Sequence, residues 1–151
     1  MTEIVVKSAK ETRKIAEILA EEVKKTPRSR AMILALAGNL GAGKTTFVQG
    51  FATAFGIKEK ITSPTFVLLK IYNLGRKRKT ALADSFLVHT DCYRLNSPRD
   101  LIQLGFKKIL EDKNAIILIE WADKIGKILP AGAIWIKFEH GAKNNERIIK
   151  F

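Results

Sequence analysis

The 151-residue chain carries 27 lysines and arginines against 15 acids, a formal charge of +12, and 46% of its residues are apolar. That size suits one domain, 1–151, around a single core. The absence of a membrane-length apolar run and of a secretory build in MTEIVVKSAKE points to a cytoplasmic protein without a membrane partner. One cysteine, Cys92, excludes an internal disulfide or a multi-cysteine zinc site, while the basic excess favours an anionic partner: nucleotide, RNA or an acidic protein surface.

IVVKS opens as a short strand, and Ser8 with Glu11 has the spacing of a helix capping box. Ile15, Ile18, Leu19 and Val23 then recur at helical spacing until Thr26-Pro27 stops the helix. AMILALA, Ala31 to Ala37, reads as a buried strand. Residues 38–45, GNLGAGKT, follow it and match the phosphate-binding pattern G-x-x-x-x-G-K-[ST]. TTFVQGFATAF continues as a helix with Phe47, Val48, Phe51 and Phe55 inward, ending at Gly56. Gly38, Gly41 and Gly43 let successive N–H groups converge on one anion, and the helix starting near Lys44 adds its positive end. In this pattern Lys44 reaches the β- and γ-phosphates and the Thr45 hydroxyl holds Mg²⁺. A plain glycine turn with a solvated lysine is the alternative.

From Thr65 the pattern turns to β: TFVLLKIYNL, a basic turn, then ALADSFLVHTD, read as two neighbouring strands. Arg76 to Lys79 is a solvated hairpin tip, or else an RNA contact; without interleaved aromatics it is no base-stacking platform. Ser97 caps a short helix with Pro98 at its first position, stopping at Gly105. AIILIEW (Ala115 to Trp121), AIWIKFEH and ERIIKF supply the last strands. An α/β fold follows: a P-loop NTPase-like mixed sheet, parallel core with antiparallel strands, flanked by a few helices.

Hydrolysis needs an acid near the metal and control over the attacking water. Glu120 ends the apolar run AIILI and is assigned to the Mg²⁺ shell; Asp91 ends FLVHT and orients the water or adds a metal contact. For each, a strand-terminal acid that caps a turn or pairs with lysine is the alternative. Thr62 to Phe66 occupies the place of a γ-phosphate-sensing segment, although a plain turn looks the same. His89 packs or pairs near the strand end rather than ligating, and Trp121 is a partly buried aromatic beside the site. No N-K-x-D guanine-reading motif is present, so ATP is preferred over GTP.

GNLGAGKTTF, SPTF, HTDCYRL and IEWAD stand in the order and spacing of the bacterial TsaE (YjeE) proteins, which this chain resembles over nearly its whole length. The resemblance implies the small ATPase of the machinery that makes N6-threonylcarbamoyladenosine at position 37 of tRNAs reading ANN codons. It implies ATP and Mg²⁺ as cofactors and Asp91, Glu120 and Lys44 as catalytic residues, with Thr45 and Glu120 on the metal. The nucleotide would lie against Thr12, Asn39, Leu40, Gly41, Ala42, Gly43, Lys44, Thr45 and Thr46. Switch behaviour falls on Ser63 to Phe66. The implied partner is the TsaB–TsaD complex, which performs the transfer while ATP hydrolysis resets it; tRNA contact is indirect or transient, and no DNA partner is implied. Asn39 replaces the family's usual Asp, Thr90 and Cys92 replace apolar residues, and the basic hairpin is longer than in many relatives. The competing classes are a small-molecule kinase, which needs an arginine-bearing lid, and a non-catalytic RNA-binding module, which leaves GNLGAGKT unexplained.

Overall fold

The computed structural model describes residues 1–63, 68–74 and 84–151. In chain order the first half contains β1 (Glu3–Val6), α1 (Ala9–Lys25), β2 (Met32–Gly38), α2 (Lys44–Ala54) and β3 (Leu69–Asn73). The second contains β4 (Phe86–Asp91), α3 (Arg99–Gln103), α4 (Phe106–Glu111), β5 (Ala115–Glu120), a 3₁₀ segment (Ala122–Ile128), β6 (Ile134–His140) and β7 (Arg147–Lys150). The strands form one seven-stranded sheet in the order β1-β7-β6-β2-β5-β4-β3. Strands β6, β2, β5 and β4 are parallel, and antiparallel strands complete both edges. This is the mixed α/β sheet that the sequence implies.

The centre is apolar because both of its faces are covered. Every residue of β5 is buried. Leu34, Leu36, Ile116 and Leu118 point to the side packed by Phe47 and Phe51 of α2. Ile33, Ala35, Ile117 and Ile119 point to the other side, against Leu101 of α3 and Phe106 of α4. Strand alternation thus feeds two half-cores from the same two strands.

Helix α1 begins as expected, with Glu11 N–H donating to Ser8 Oγ at 3.1 Å. The return bond runs from Lys7 N–H to the Glu11 carboxylate at 2.7 Å, one residue outside the usual box. Its buried face differs from the predicted stripe: Thr12, Ala16, Ala20 and Val23 are inside. Ile15 and Leu19 are partly buried, whereas Ile18 is 54% exposed. The reason is the close approach of α2. A Cβ on Gly50 would lie 2.5 Å from Arg13 O and 2.6 Å from Arg13 Cα, so the contact face of α1 needs alanines. Gly50→Ala is therefore expected to destabilise the protein although it favours helix. Overpacking against immovable backbone costs about 3 kcal/mol and helix propensity returns about 1 kcal/mol, a net loss of about 2 kcal/mol. Urea unfolding measures this, and an unchanged midpoint would contradict the packing argument.

Several boundaries move. The β3–β4 pair is antiparallel as expected, but it starts at Leu69 and Phe86. Residues 64–67 and 75–83, which include Pro64 to Phe66 of the switch-like segment and the Arg76 to Lys79 tip, lie outside the described residues. Pro98 occupies the cap position of α3 rather than its first turn, while Ser97 Oγ still accepts from Arg99 N–H at 3.3 Å. Gly105 does not end the helical region; at φ 82° it turns the chain into a second helix, α4. The strand predicted to reach Trp121 stops at Glu120, because Trp121 is left-handed at φ 56°. Among the described residues no helix is long and apolar enough to cross a membrane.

Candidate functional site

Strands β2, β4 and β5 end side by side, so parallel register alone gathers the chemistry at one sheet edge. Glu120 is opposite Leu36 of β2 on one side and Asp91 of β4 on the other. Gly38 turns out of β2 at φ 142°, and a Cβ there would come within 2.2 Å of Phe138 O. Gly43, at φ 104°, caps α2 without a side chain, leaving the first N–H groups of the helix open to an anion.

Lys44 is 4% exposed. Its Nζ donates to Gly38 O at 2.5 Å and Asn39 O at 2.9 Å, and lies 4.0 Å from the centre of the Trp121 ring. Burial lowers its pKa from the ordinary lysine value, against the opposing pull of Glu120, Asp91 and Asp123. The left-handed backbone at Trp121, costing about 1–2 kcal/mol, places this ring under the ammonium, with the Tyr93 ring 4.9 Å from it.

Thr45 Oγ1 lies 3.0 and 2.8 Å from the two oxygens of Glu120. Glu120 is buried, and its Oε1 also accepts from His89 Nε2 at 2.8 Å. His89 Nδ1 is the only buried side-chain nitrogen or oxygen without a partner among the described residues, which fits a ring whose single proton sits on Nε2. Asp91 accepts from Ser63 Oγ and from Tyr93 N–H, the latter at 2.9 Å. Two bonds thus aim each carboxylate.

A cleft of about 290 Å³ opens over these groups, a size suited to phosphates rather than to a whole nucleotide. Leu40, Gly41, Gly43, Lys44, Thr45, Thr46, Asp91 and Glu120 line it, joined by Ser63, Tyr93 and Trp121. Three predicted nucleotide residues are not among its walls. Asn39 contributes backbone, its carbonyl accepting from Ala42 N–H at 3.2 Å as well as from Lys44. Ala42 is buried. Thr12 is buried behind Gly43, its hydroxyl donating to Ser8 O at 3.4 Å. Tyr93 and the His89–Glu120 bond were not assigned from sequence; the alternate spacing of His89 and Asp91, one face of β4 with Tyr93 in the turn after it, was the available signal. Cys92 points elsewhere and is inert: burial first, then Asp91, pushes its thiol up to about 12.

The hydroxyl of Thr45 and the carboxylate of Glu120 are hard oxygen donors already converged on one point, which fits Mg²⁺. Among the described residues no group of three His, Cys, Asp or Glu forms a metal cage. An Mg²⁺ here would complete its shell with water and phosphate oxygens, its ordinary habit.

A family model described as "Threonylcarbamoyl adenosine biosynthesis protein TsaE" matches residues 6–149. The chain is 37% identical over 143 residues to a Rickettsia conorii protein described as "tRNA threonylcarbamoyladenosine biosynthesis protein TsaE", covering 93% of this chain and 72% of the relative. A Bacillus subtilis protein of the same description is 36% identical over 141 residues, covering 93% and 78%. The crystal structure of Bacillus subtilis YdiB superposes with a TM-score of 0.72 at 30% identity, covering 98% of this chain and 82% of that one.

Proposed function

This chain belongs to the TsaE family, whose model spans nearly all of it, and from that premise we propose that it is the ATP-binding and hydrolysing subunit of tRNA threonylcarbamoylation at adenosine 37. It acts on the TsaB–TsaD complex and does not perform the transfer itself. The observation that carries this reading is the convergence of Lys44, Thr45, Asp91 and Glu120 on one phosphate-sized cleft.

In this reading the glycine turn and the N-terminus of α2 receive the β- and γ-phosphates, and the Lys44 ammonium exchanges its carbonyl partners for phosphate oxygens. Thr45 and Glu120 would hold Mg²⁺, which when bound supplies positive charge against the phosphate oxygens. His89 keeps the Glu120 carboxylate turned toward Thr45. Asp91, held by Ser63 and Tyr93, orients the attacking water with its remaining lone pairs. Trp121 and Tyr93 wall the cleft on the solvent side and shield the charges from water.

The test is phosphate release from ATP, measured for the protein alone and with TsaB–TsaD and substrate tRNA. Slow release alone and a clear rise with the complex are expected. Identical rates in all mixtures would refute partner control, and a phosphorylated small molecule as product would make the protein a kinase.

A further inference from the structure

The edge of the sheet opposite the phosphate loop carries a second polar surface. The described residues just before β2, β4 and β5 (29–31, 84–85 and 112–114) all lie there, about 20 Å from the loop, given a rise of about 3.3 Å per residue along β2. Two hollows lie along it. One, of about 460 Å³, is lined by Lys24, Lys25, Arg28 and Lys113, with Asp84 as its acid. The other, of about 620 Å³, is lined by Arg30 and Lys107, with Glu111 as its acid and Leu110, Ile128 and Pro130 as its apolar floor. Both are walled by the same two stretches of chain, residues 24–30 and 107–114, so they flank one strip.

The charges on this strip are largely uncommitted. Lys24 and Lys25 pair with Glu21 and Glu22. Arg28, Arg30, Lys107 and Lys113 enter no ion pair among the described residues. Arg28 is also fixed in place: its Nε donates to Lys113 O at 3.1 Å and its Nη2 to Ser85 Oγ at 3.0 Å. Burial lowers this guanidinium below its ordinary value. A cation held partly out of water without a carboxylate is a site that an incoming anion stabilises.

We propose that this strip, centred on Arg28, Arg30, Lys107 and Lys113, binds the phosphodiester backbone of an RNA; that the RNA is a tRNA rests on the function proposed above. Phosphate is favoured over an acidic protein because protein interfaces have an apolar or aromatic core. The described residues lining the hollows include no aromatic side chain, and the apolar ones, Leu110, Ile128 and Pro130, are confined to the larger hollow and are buried or half-buried rather than presented to a partner. The same lack of aromatics means backbone contact without base stacking, hence little sequence preference. Because the two sites occupy opposite edges, ATP and RNA are held at the same time.

The experiment is fluorescence anisotropy of a labelled tRNA transcript against the full-length protein over a series of salt concentrations. The variants are Arg30→Glu/Lys107→Glu/Lys113→Glu and the gentler Arg30→Gln/Lys107→Gln, with thermal midpoint and ATP hydrolysis as controls. The triple variant is expected to bind at least about tenfold more weakly and to flatten the log–log salt dependence by about 2–3, at roughly 0.7–0.9 per lost phosphate contact. The gentler pair should show a smaller change of the same sign, and ATP hydrolysis should be unchanged in both. Unaltered tRNA affinity and salt slope in a folded variant would overturn the proposal. So would loss of TsaB–TsaD binding with RNA binding intact, which would make the occupant a protein. Failure of ATP hydrolysis in the unmutated protein would instead sink the function proposed above and leave the RNA measurement standing.

Discussion

Replacing Lys44 by alanine is expected to cost both nucleotide binding and turnover, and more of the second. The ammonium is the only side-chain cation lining the cleft among its described walls. It is held there by two carbonyls and an aromatic ring rather than by a carboxylate partner. A charge-assisted bond to phosphate contributes about 1.5–3 kcal/mol, so ATP affinity should fall by roughly tenfold to a hundredfold. Removing a preorganised donor to developing charge lowers turnover by about 10²–10³. Calorimetric titration with ATP and partner-stimulated phosphate release measure the two losses. Lys44 also ties Gly38 and Asn39 together, so Lys44→Met serves as a control that keeps the aliphatic stem. If the methionine variant binds ATP as tightly as the unmutated protein, the ammonium does not contact phosphate.

The site was legible where it depends on local chemistry. GNLGAGKT states its own geometry, since a glycine at φ 104° before α2 and a lysine in the first turn are neighbours in sequence. Glu120 was legible because an apolar strand that ends on an acid delivers it to the sheet edge. The rest depends on contacts between distant segments. The bond from His89 to Glu120 exists because β4 and β5 run parallel with Asp91 opposite Glu120, a register that no stretch of sequence states. Ile18 was misplaced because the two candidate stripes of α1 share Ile15, Leu19 and Val23. Only the approach of Gly50 of α2 selects Ala16 and Ala20. Gly105 has the signature of a stop, and it turned out to start α4 because Phe106 and Leu110 had a second half-core to fill. The basic strip was invisible for the same reason: its cations are dispersed along the chain and meet only because parallel strands begin at one edge.

Glu120→Ala and Asp91→Ala are expected to abolish partner-stimulated hydrolysis while leaving much of the ATP binding intact, and they should do so differently. Glu120 is buried between Thr45 and His89, so its removal strips the cleft of its one fully enclosed carboxylate and frees the Thr45 hydroxyl. Loss of a metal-orienting acid acts on the charge that develops at the phosphate, and a fall of about 10²–10³ in turnover follows. Higher Mg²⁺ should be needed to reach the residual rate. Asp91 stands one strand further out, is partly exposed, and is bound by Ser63 and Tyr93. Its removal should lower turnover by about 10²–10⁴, the range of a positioned acid or base, with no change in Mg²⁺ requirement. Phosphate release at several Mg²⁺ concentrations separates the two roles, and calorimetric ATP titration checks that binding survives. Unchanged turnover in both variants would remove Asp91 and Glu120 from catalysis. A shift in Mg²⁺ requirement in the Asp91 variant instead would place the metal between the two acids, on the line where β4 and β5 end together.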